Sequence, residues 1–250
     1  MDTNIDLRKR LLELADKAYS ENRFIFTDFL NVAQMSEFYQ MEREFNYVGA
    51  TAFGGSKDNE RCMVRFGSPE ILGYEESFPI AILRVVPVAK KFADKLTHRD
   101  FLGSVLGLGL EREKIGDIFI NENEGYIFAD EAISEYIIDN LSKVKHTVVK
   151  VSLANKVPEV FFTLKEEVLT VSSNRIDAII ARLYNLSRES ALKYFVEGKV
   201  FINGINTTEN AKKLKDKDIV SVRGFGKFIF EKELGETKKG RLRVSVSKYV

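Results

Sequence analysis

The sequence predicts an α+β protein with an N-terminal region, a central domain and a C-terminal domain. Three observations lead to this prediction. The beginning of the chain combines helical periodicity with two short β-like runs, and the central part reads β-α-β-β-α-β. The last part changes to two short helices followed by period-two strands, and it carries an excess of positive charge. We place these three parts at residues 1–75, 76–155 and 171–250.

The N-terminal region is predicted to be helical first and to end in a β-hairpin. Residues 5–20 place their leucines at helical spacing, and a second helical pattern runs from Asp28 to about Arg43. Residues 47–53 and 62–66 are β-like runs around a polar, glycine-containing loop, which is typical of a hairpin. Cys62 is the only cysteine, so no intrachain disulfide forms, and we expect it to be inert and buried.

The central domain is predicted to be a split βαβ, or ferredoxin-like, plait. Its elements are a strand at 79–88, a helix at 97–107, a hairpin of strands at 117–120 and 126–129, a helix at 130–141 and a strand at 146–153. Thr97 and Asp130 stand where the two helices begin and are expected to be their N-caps. Many RNA-recognition modules have this fold, but so do many unrelated proteins.

The C-terminal domain is predicted from its caps and turns. Residues 175–183 form a short helix, and Ser187 and Gly198 bound a second one. Asn203-Gly204 predicts a tight hairpin turn, and residues 218–223, 227–231 and 242–246 predict strands. Residues 154–170 between the two domains read as a connector.

The net charge of +1, from 38 basic and 37 acidic residues, hides an asymmetry. Residues 171–250 contain 17 basic and 9 acidic side chains, so they carry +8 while residues 1–170 carry −7. Such a division indicates a nucleic acid or another anionic surface as the partner of the basic part.

Sequence motifs in the same part resemble a known RNA-binding module. The runs R175-I-D-A-I-I-A-R-L, S187-R-E-S-A-L, G198-K-V-F-I-N-G204 and D216-K-D-I-V-S-V-R-G224 look like the alpha-L RNA-binding motif, also called the S-four domain. With L96-T-H-R-D-F-L-G-S-V-L-G-L-G-L-E-R-E-K-I-G-D117 and the C-terminal G235-E-T-K-K-G-R-L-R-V-S-V-S-K-Y-V250, the chain resembles the YlmH family of bacterial RNA-binding proteins. The resemblance implies an N-terminal α/β region, an RNA-recognition-like (RRM-like) plait and a C-terminal S-four domain.

The resemblance also implies a function and a location. It implies association with ribosomal RNA or tRNA on the large ribosomal subunit, near the peptidyl-tRNA, in quality control of stalled translation. A link to cell division is implied only by the proteins with which members of this family are associated, and no residue of this chain indicates it. We expect a cytoplasmic protein, because the sequence contains neither a secretory signal nor an apolar run of membrane-spanning length.

The candidate RNA-binding residues follow from the motif and from the chemistry of phosphate recognition. In the family, the first-helix arginine and the N-terminus of the second helix face the RNA, which here are Arg175 and the pair Ser187-Arg188. Ser187 would cap its helix, whose free N–H groups attract a phosphate, and Arg188 would add a fork of donors. The other candidates are basic or lie in the hairpin turn: Arg182, Lys193, Lys199, Asn203, Lys212, Lys213, Arg223 and Lys227.

Simpler explanations stay open for several of these features. Lys212 and Lys213 are accounted for equally well as solvated surface residues, and Asn203 is a turn residue in either case. Asp177 is read as a structural partner of an arginine or of the backbone. In the plait, Tyr126 and Phe128 occupy the strand on which RNA-recognition modules carry stacking aromatics, but the basic-and-aromatic signature is absent and acidic residues flank the segment. Core packing is favoured, because aromatic side chains on a half-buried sheet usually pack inward.

Catalytic motifs find no support in this sequence. His98-Arg99-Asp100 copies the start of a kinase catalytic loop without its other parts, and we favour a structural role at the helix start over an RNA contact. We expect no enzymatic activity, no cofactor and no metal site. The alternatives are an RNA-modifying enzyme or a protein-interaction scaffold that uses the S-four domain for targeting, with protein partners bound through residues 1–170.

Overall fold

A computed structural model describes residues 2–57, 59–162 and 164–249 of the chain. Its internal contacts divide it into two compact units, Met1–Phe161 and Phe162–Val250. The first unit contains both the predicted N-terminal region and the predicted plait, so the boundary at residue 75 stays a prediction. None of the helices in the described ranges is long and apolar enough to cross a membrane.

The first unit contains two sheets with helices packed on them. Its helices are α1 (Asp2–Glu21), α2 (Val32–Met41), α3 (Pro69–Leu72), α4 (His98–Leu106) and α5 (Ser134–Asn140). Its strands are β1 (Ile25–Phe26), β2 (Ala50–Phe53), β3 (Met63–Phe66), β4 (Ile80–Pro87), β5 (Ile115–Asn121), β6 (Glu124–Asp130), β7 (Lys143–Val144) and β8 (Thr147–Ala154).

The N-terminal sheet has the strand order β1-β3-β2 and contains the predicted hairpin, because β2 and β3 pair antiparallel. The predicted start of the second helix at Asp28 is wrong. The Asn31 side chain accepts hydrogen bonds from the N–H groups of Ala33 and Gln34 and so caps α2. The preceding residues are used elsewhere: Phe29 N–H donates to the Glu113 carbonyl, and Leu30 N–H donates to the Cys62 carbonyl.

The central sheet has the strand order β5-β6-β4-β8-β7. Strands β4 and β5 both run antiparallel to β6, which lies between them, as a split βαβ arrangement requires. Alternation sends Leu83, Val85 and Ile127 into the core that α4 and α5 cover. We call the opposite side the outer face. It carries Arg84 and Tyr126, which are directly paired residues of β4 and β6.

The second unit consists of one sheet with two helices. Its elements are β9 (Leu164–Val171), α6 (Ile176–Leu183), α7 (Arg188–Val196), β10 (Val200–Ile202), β11 (Ile205–Asn206), β12 (Ile219–Val222), β13 (Gly226–Glu236) and β14 (Leu242–Tyr249). The sheet order is β11-β10-β12-β13-β14-β9. The predicted turn is confirmed, because Asn203 and Gly204 have φ values of 50° and 80°, as a type I′ hairpin turn requires.

The prediction that residues 154–170 form only a connector is wrong. Residues 164–171 form β9, which pairs along its whole length with β14 at the edge of the sheet. The sequence hid this strand because only its end, at Leu169 and Val171, is buried in the core. The charged first half lies exposed on an edge strand, where polar side chains are usual.

Candidate nucleic-acid interface

The second helix of the second unit begins as the sequence predicts. Ser187 is the N-cap of α7, and its Oγ accepts a hydrogen bond of 3.0 Å from the Ser190 N–H. Both Ser187 and Arg188 are exposed to solvent. The first turn of α7 therefore presents backbone N–H groups and a guanidinium at the surface, an arrangement that favours an anion.

Arg182 and Arg188 line one shallow groove of about 260 Å³ between β9, α6 and α7. The Arg188 guanidinium donates to the Ser172 hydroxyl, which follows directly after β9. Ser172 and Asn185 also line the groove, so hydroxyl and amide groups stand beside the two guanidinium groups. Two forks of donors with polar neighbours are suited to the oxygens of an RNA phosphate.

Arg175 has a structural partner in addition to any ligand. It precedes α6, and its Nε and one terminal nitrogen donate to Asp177 Oδ1 and Oδ2 at 3.0 and 2.7 Å. The Asp177 side chain is only 4% exposed, and its Oδ1 also accepts the Ala178 N–H. Hydrogen bonding to Asp177 raises the pKa of Arg175. The interpretation of Asp177 as an arginine partner is confirmed, and half of the Arg175 fork is thereby occupied.

Lys212 and Lys213 lie beside the start of α6. The Ile176 N–H donates to the Lys212 carbonyl at 2.9 Å, and Arg175 and Lys213 form an antiparallel bridge. Both lysine residues are exposed. The structure therefore brings Arg175, Lys212 and Lys213 together, although they are far apart in sequence.

Lys193, Lys199 and Arg223 belong to the other end of α7. Lys199 forms an ion pair of 2.6 Å with Glu197, and its Nζ lies 5.7 Å from the centroid of the Tyr194 ring. The Arg223 N–H donates to the Lys199 carbonyl, and the guanidinium lies 5.4 Å from the Phe201 ring centroid. Lys193 is exposed in the last turn of α7. Glu197 offsets the charge of Lys199 at this end of the helix.

Lys227 and Asn203 do not line the groove. Phe228 points into the core under the helices, and neighbouring side chains of a strand point to opposite faces, so Lys227 lies on the other side of the sheet. There its Nζ lies 4.2 Å from the centroid of the Tyr249 ring. The Asn203 amide donates to Asp218 Oδ1, and its oxygen accepts the Ile219 N–H. The structure gives Asn203 the role of holding the hairpin turn.

Ser172, Asn185 and Lys248 were missed in the sequence. Ser172 and Asn185 line the groove, and Lys248 Nζ lies 4.9 Å from the ring centroid of Tyr184. Ser172 owes its place to β9, which the sequence did not predict. Asn185 lies between the two helices with a positive φ of 53°, a conformation that asparagine tolerates better than most residues. Its residue type between two predicted helices was therefore a local sign of a turn.

The outer face of the central sheet is covered at its aromatic positions. Tyr126 is 4% exposed and packs edge-to-face on Phe161 at 4.8 Å. Phe128 is fully buried, and its ring lies so close to Gly55 that a Cβ there would be 2.3 Å away. The prediction that both aromatic side chains are buried is confirmed. Phe161 covers Tyr126 and the loop after β2 covers Phe128, whereas α4 and α5 lie on the other face of the sheet.

The segment His98-Arg99-Asp100 begins α4. Thr97 N–H donates to Asp100 Oδ2 at 2.8 Å and Asp100 N–H donates to Thr97 Oγ1 at 3.4 Å, which forms a capping box. Hydrogen bonds from Thr97 hold the pKa of Asp100 below its usual range. The structural role is confirmed for Asp100, while His98 and Arg99 are exposed beside it.

Comparison with known proteins assigns the central domain. Residues 74–157 match the sequence model of a protein family described as "Putative RNA-binding domain in YlmH". The matched residues contain the whole central sheet with α4 and α5.

Two further proteins are similar to the chain over most of its length. It is 29% identical over 202 residues to the "Ribosome-associated protein quality control protein P2" of Bacillus subtilis (strain 168), covering 78% of this chain and 76% of that protein. The structure of the "Cell division protein ylmH from Streptococcus pneumoniae" has a TM-score of 0.50 and 21% identity, covering 64% of this chain and 94% of that chain, and supports the fold. The resemblance to YlmH that the sequence suggested is confirmed, as is the α+β fold class.

Proposed function

We propose that this protein is a non-enzymatic cytoplasmic RNA-binding protein that docks on structured ribosomal RNA or tRNA. The observation that carries the proposal is the groove of the second unit, where Arg182 and Arg188 stand together beside the capped start of α7. The charge of +8 on residues 171–250 favours the same partner. The YlmH RNA-binding domain at residues 74–157 supports it from a second part of the chain.

Residues 171–250, with β9 added, are proposed to be an S-four domain. The two short helices, the cap at Ser187 and the turn at Asn203-Gly204 lie where that resemblance places them. Most contacts of such a surface would go to phosphates, which fix position on a folded RNA and carry little sequence information.

The site of action is proposed to be the large ribosomal subunit during quality control of stalled translation. The similarity to a Bacillus protein named for ribosome-associated quality control supports this. A link to cell division stays a prediction, as do protein partners bound through residues 1–170.

Crosslinking of the full-length protein to RNA in cells, followed by sequencing of the bound RNA, tests the proposal. We expect crosslinks concentrated at one site in large-subunit ribosomal RNA and in tRNA. Co-sedimentation with purified large subunits, lost in the Arg182→Ala/Arg188→Ala variant, is the second expected result. Crosslinks spread over messenger RNA without ribosomal enrichment would contradict it.

A further inference from the structure

A cavity of about 340 Å³ lies beside the outer face of the central sheet, within the first unit. Its lining includes Phe53 at the end of β2, Arg65 in β3, the segment before β4 with Glu75, Ser77 and Phe78, and Ile82 of β4. The volume is at the small end of the range for ligand pockets, so a single planar group fits it better than a folded partner.

Arg65 is unusual among the residues of this cavity. It is 7% exposed, and its guanidinium carbon lies 4.7 and 5.3 Å from the ring centroids of Phe24 and Phe78. One terminal nitrogen donates to Glu75 Oε1 at 3.0 Å and to the Glu76 carbonyl at 2.6 Å. The buried Nε has no hydrogen-bond partner among the described residues. Because the Nε is buried and the terminal nitrogen is already bonded, Arg65 forms a fixed part of the cavity wall.

Phe53 supplies an aromatic surface at the same cavity. It is 41% exposed, and its ring packs on Phe78 at a centroid distance of 5.5 Å. One face of an aromatic ring in a partly buried position is a platform on which another flat ring stacks. Tyr126 and Phe128, the aromatic side chains of β6, are covered and do not offer such a platform.

The charges of the cavity favour an uncharged ligand. Arg65 and Glu75 form an ion pair, so they neutralise each other and leave little attraction for a phosphate. The Ser77 hydroxyl and the Glu75 carboxylate add hydrogen-bonding groups around the ring surface. A nucleobase has a flat face for stacking and an edge with both donors and acceptors, and it matches this combination.

We propose that this cavity binds one unpaired base of RNA, stacked on Phe53 with its edge hydrogen-bonded by the exposed Ser77 hydroxyl and Glu75 carboxylate. The inference rests on the proposed RNA-binding function. It moves the base-stacking role from the covered strand β6 to the neighbouring hairpin of the N-terminal region.

The test uses the full-length protein and short single-stranded RNA oligonucleotides that carry one fluorescent 2-aminopurine base. Phe53→Ser removes the ring, and Phe53→Tyr keeps it. Tyr47→Ser is the matched control, since Tyr47 is also 41% exposed and does not line the cavity. Phe53→Ser should weaken oligonucleotide binding by about five- to a hundredfold. Phe53→Tyr and Tyr47→Ser should leave the Kd within about twofold, and 2-aminopurine emission should change on binding wherever the ring is present.

Equal oligonucleotide affinities for Phe53→Ser and Tyr47→Ser would overturn the proposal, as would the absence of oligonucleotide binding by the wild-type protein. Co-sedimentation with ribosomes is measured on the same variants, because it reports on the proposed function separately. If the wild-type protein binds ribosomes and Phe53→Ser leaves oligonucleotide binding unchanged, the base pocket is wrong and the general function stands. If the wild-type protein binds oligonucleotides but not ribosomes, and Phe53→Ser weakens the oligonucleotide binding, the ribosomal function is wrong and the pocket stands.

Discussion

Replacing Arg188 with alanine tests the groove of the second unit directly. Arg188 is exposed, and among the described contacts its guanidinium bonds only to the Ser172 hydroxyl. A hydrogen bond to a charged group contributes about 1.5–3 kcal/mol. To bind a phosphate, Arg188 must give up its hydrogen bond to Ser172, so the net contribution to binding is smaller. We therefore expect a loss of about 1–2 kcal/mol, or about 5- to 30-fold in Kd.

The assay is titration of the full-length protein with ribosomal RNA fragments or purified large subunits at fixed salt concentration. Arg241→Ala is the control, since it removes the same charge from an exposed position outside the groove. Alanine is a good helix former at the first position of α7, so the melting temperature of Arg188→Ala should stay near that of the wild type. Equal losses of affinity in Arg188→Ala and Arg241→Ala would refute the groove and leave only a general effect of charge.

Four further predictions concern other residues of the two units. Ser187→Ala should lower the free energy of unfolding by about 1 kcal/mol, measured by chemical denaturation, because the helix cap is lost. Ser187→Asp should keep the cap and the stability but weaken RNA binding in a titration, because its carboxylate repels phosphate. Unchanged RNA binding by Ser187→Asp would contradict the site. Arg175→Ala should lower the melting temperature more than Arg188→Ala does, because it leaves the buried Asp177 carboxylate without its guanidinium; equal melting temperatures would show that this pair is not structural. A fragment of residues 162–250 should give a cooperative thermal transition, whereas residues 171–250 should melt at lower temperature because β9 is missing; identical transitions would show that β9 is dispensable. Asp117 Oδ2 accepts hydrogen bonds from the N–H groups of Glu60 and Arg61 at 2.5 and 3.0 Å, so Asp117→Ala should destabilise the full-length protein by about 1–3 kcal/mol. Asp117→Asn should destabilise it less, because the amide oxygen is still an acceptor. Equal stability of the two variants in denaturant would count against this contact.

Local chemistry explains which predictions the structure confirms. Thr97 and Ser187 cap α4 and α7 as predicted, and Asn203-Gly204 adopts positive φ values that suit these two residues. Asp130 caps a 3-10 turn at Glu131–Ile133 instead of α5, which begins at Ser134. Such features depend on neighbours in sequence, so the residue types reveal them without the rest of the molecule. Arg188 was a candidate because of the resemblance to the alpha-L motif, and Arg182 because of its place on a predicted helix.

Other features depend on residues that are distant in sequence. Helix α2 begins after Asn31, whose side chain caps it. It cannot begin earlier, because the Phe29 and Leu30 N–H groups donate to the carbonyl groups of Glu113 and Cys62. Strand β9 exists because β14 supplies its hydrogen bonds, and its own charged sequence gives little sign of it. Arg65 is buried between two aromatic rings contributed by separate segments, which no local pattern predicts.

The sequence by itself determined the α+β class, the element order of the central domain, the helix caps and the concentration of positive charge in residues 171–250. These follow from periodicity, capping preferences and composition, which act over a few residues or add along the chain. Only the tertiary structure decided which basic residues share a surface, that Arg175 is tied to Asp177, and that Lys227 lies on the other side of its sheet. The physical reason is that strand pairing and burial join distant segments, and the side chains that meet there are set by the register of the sheet.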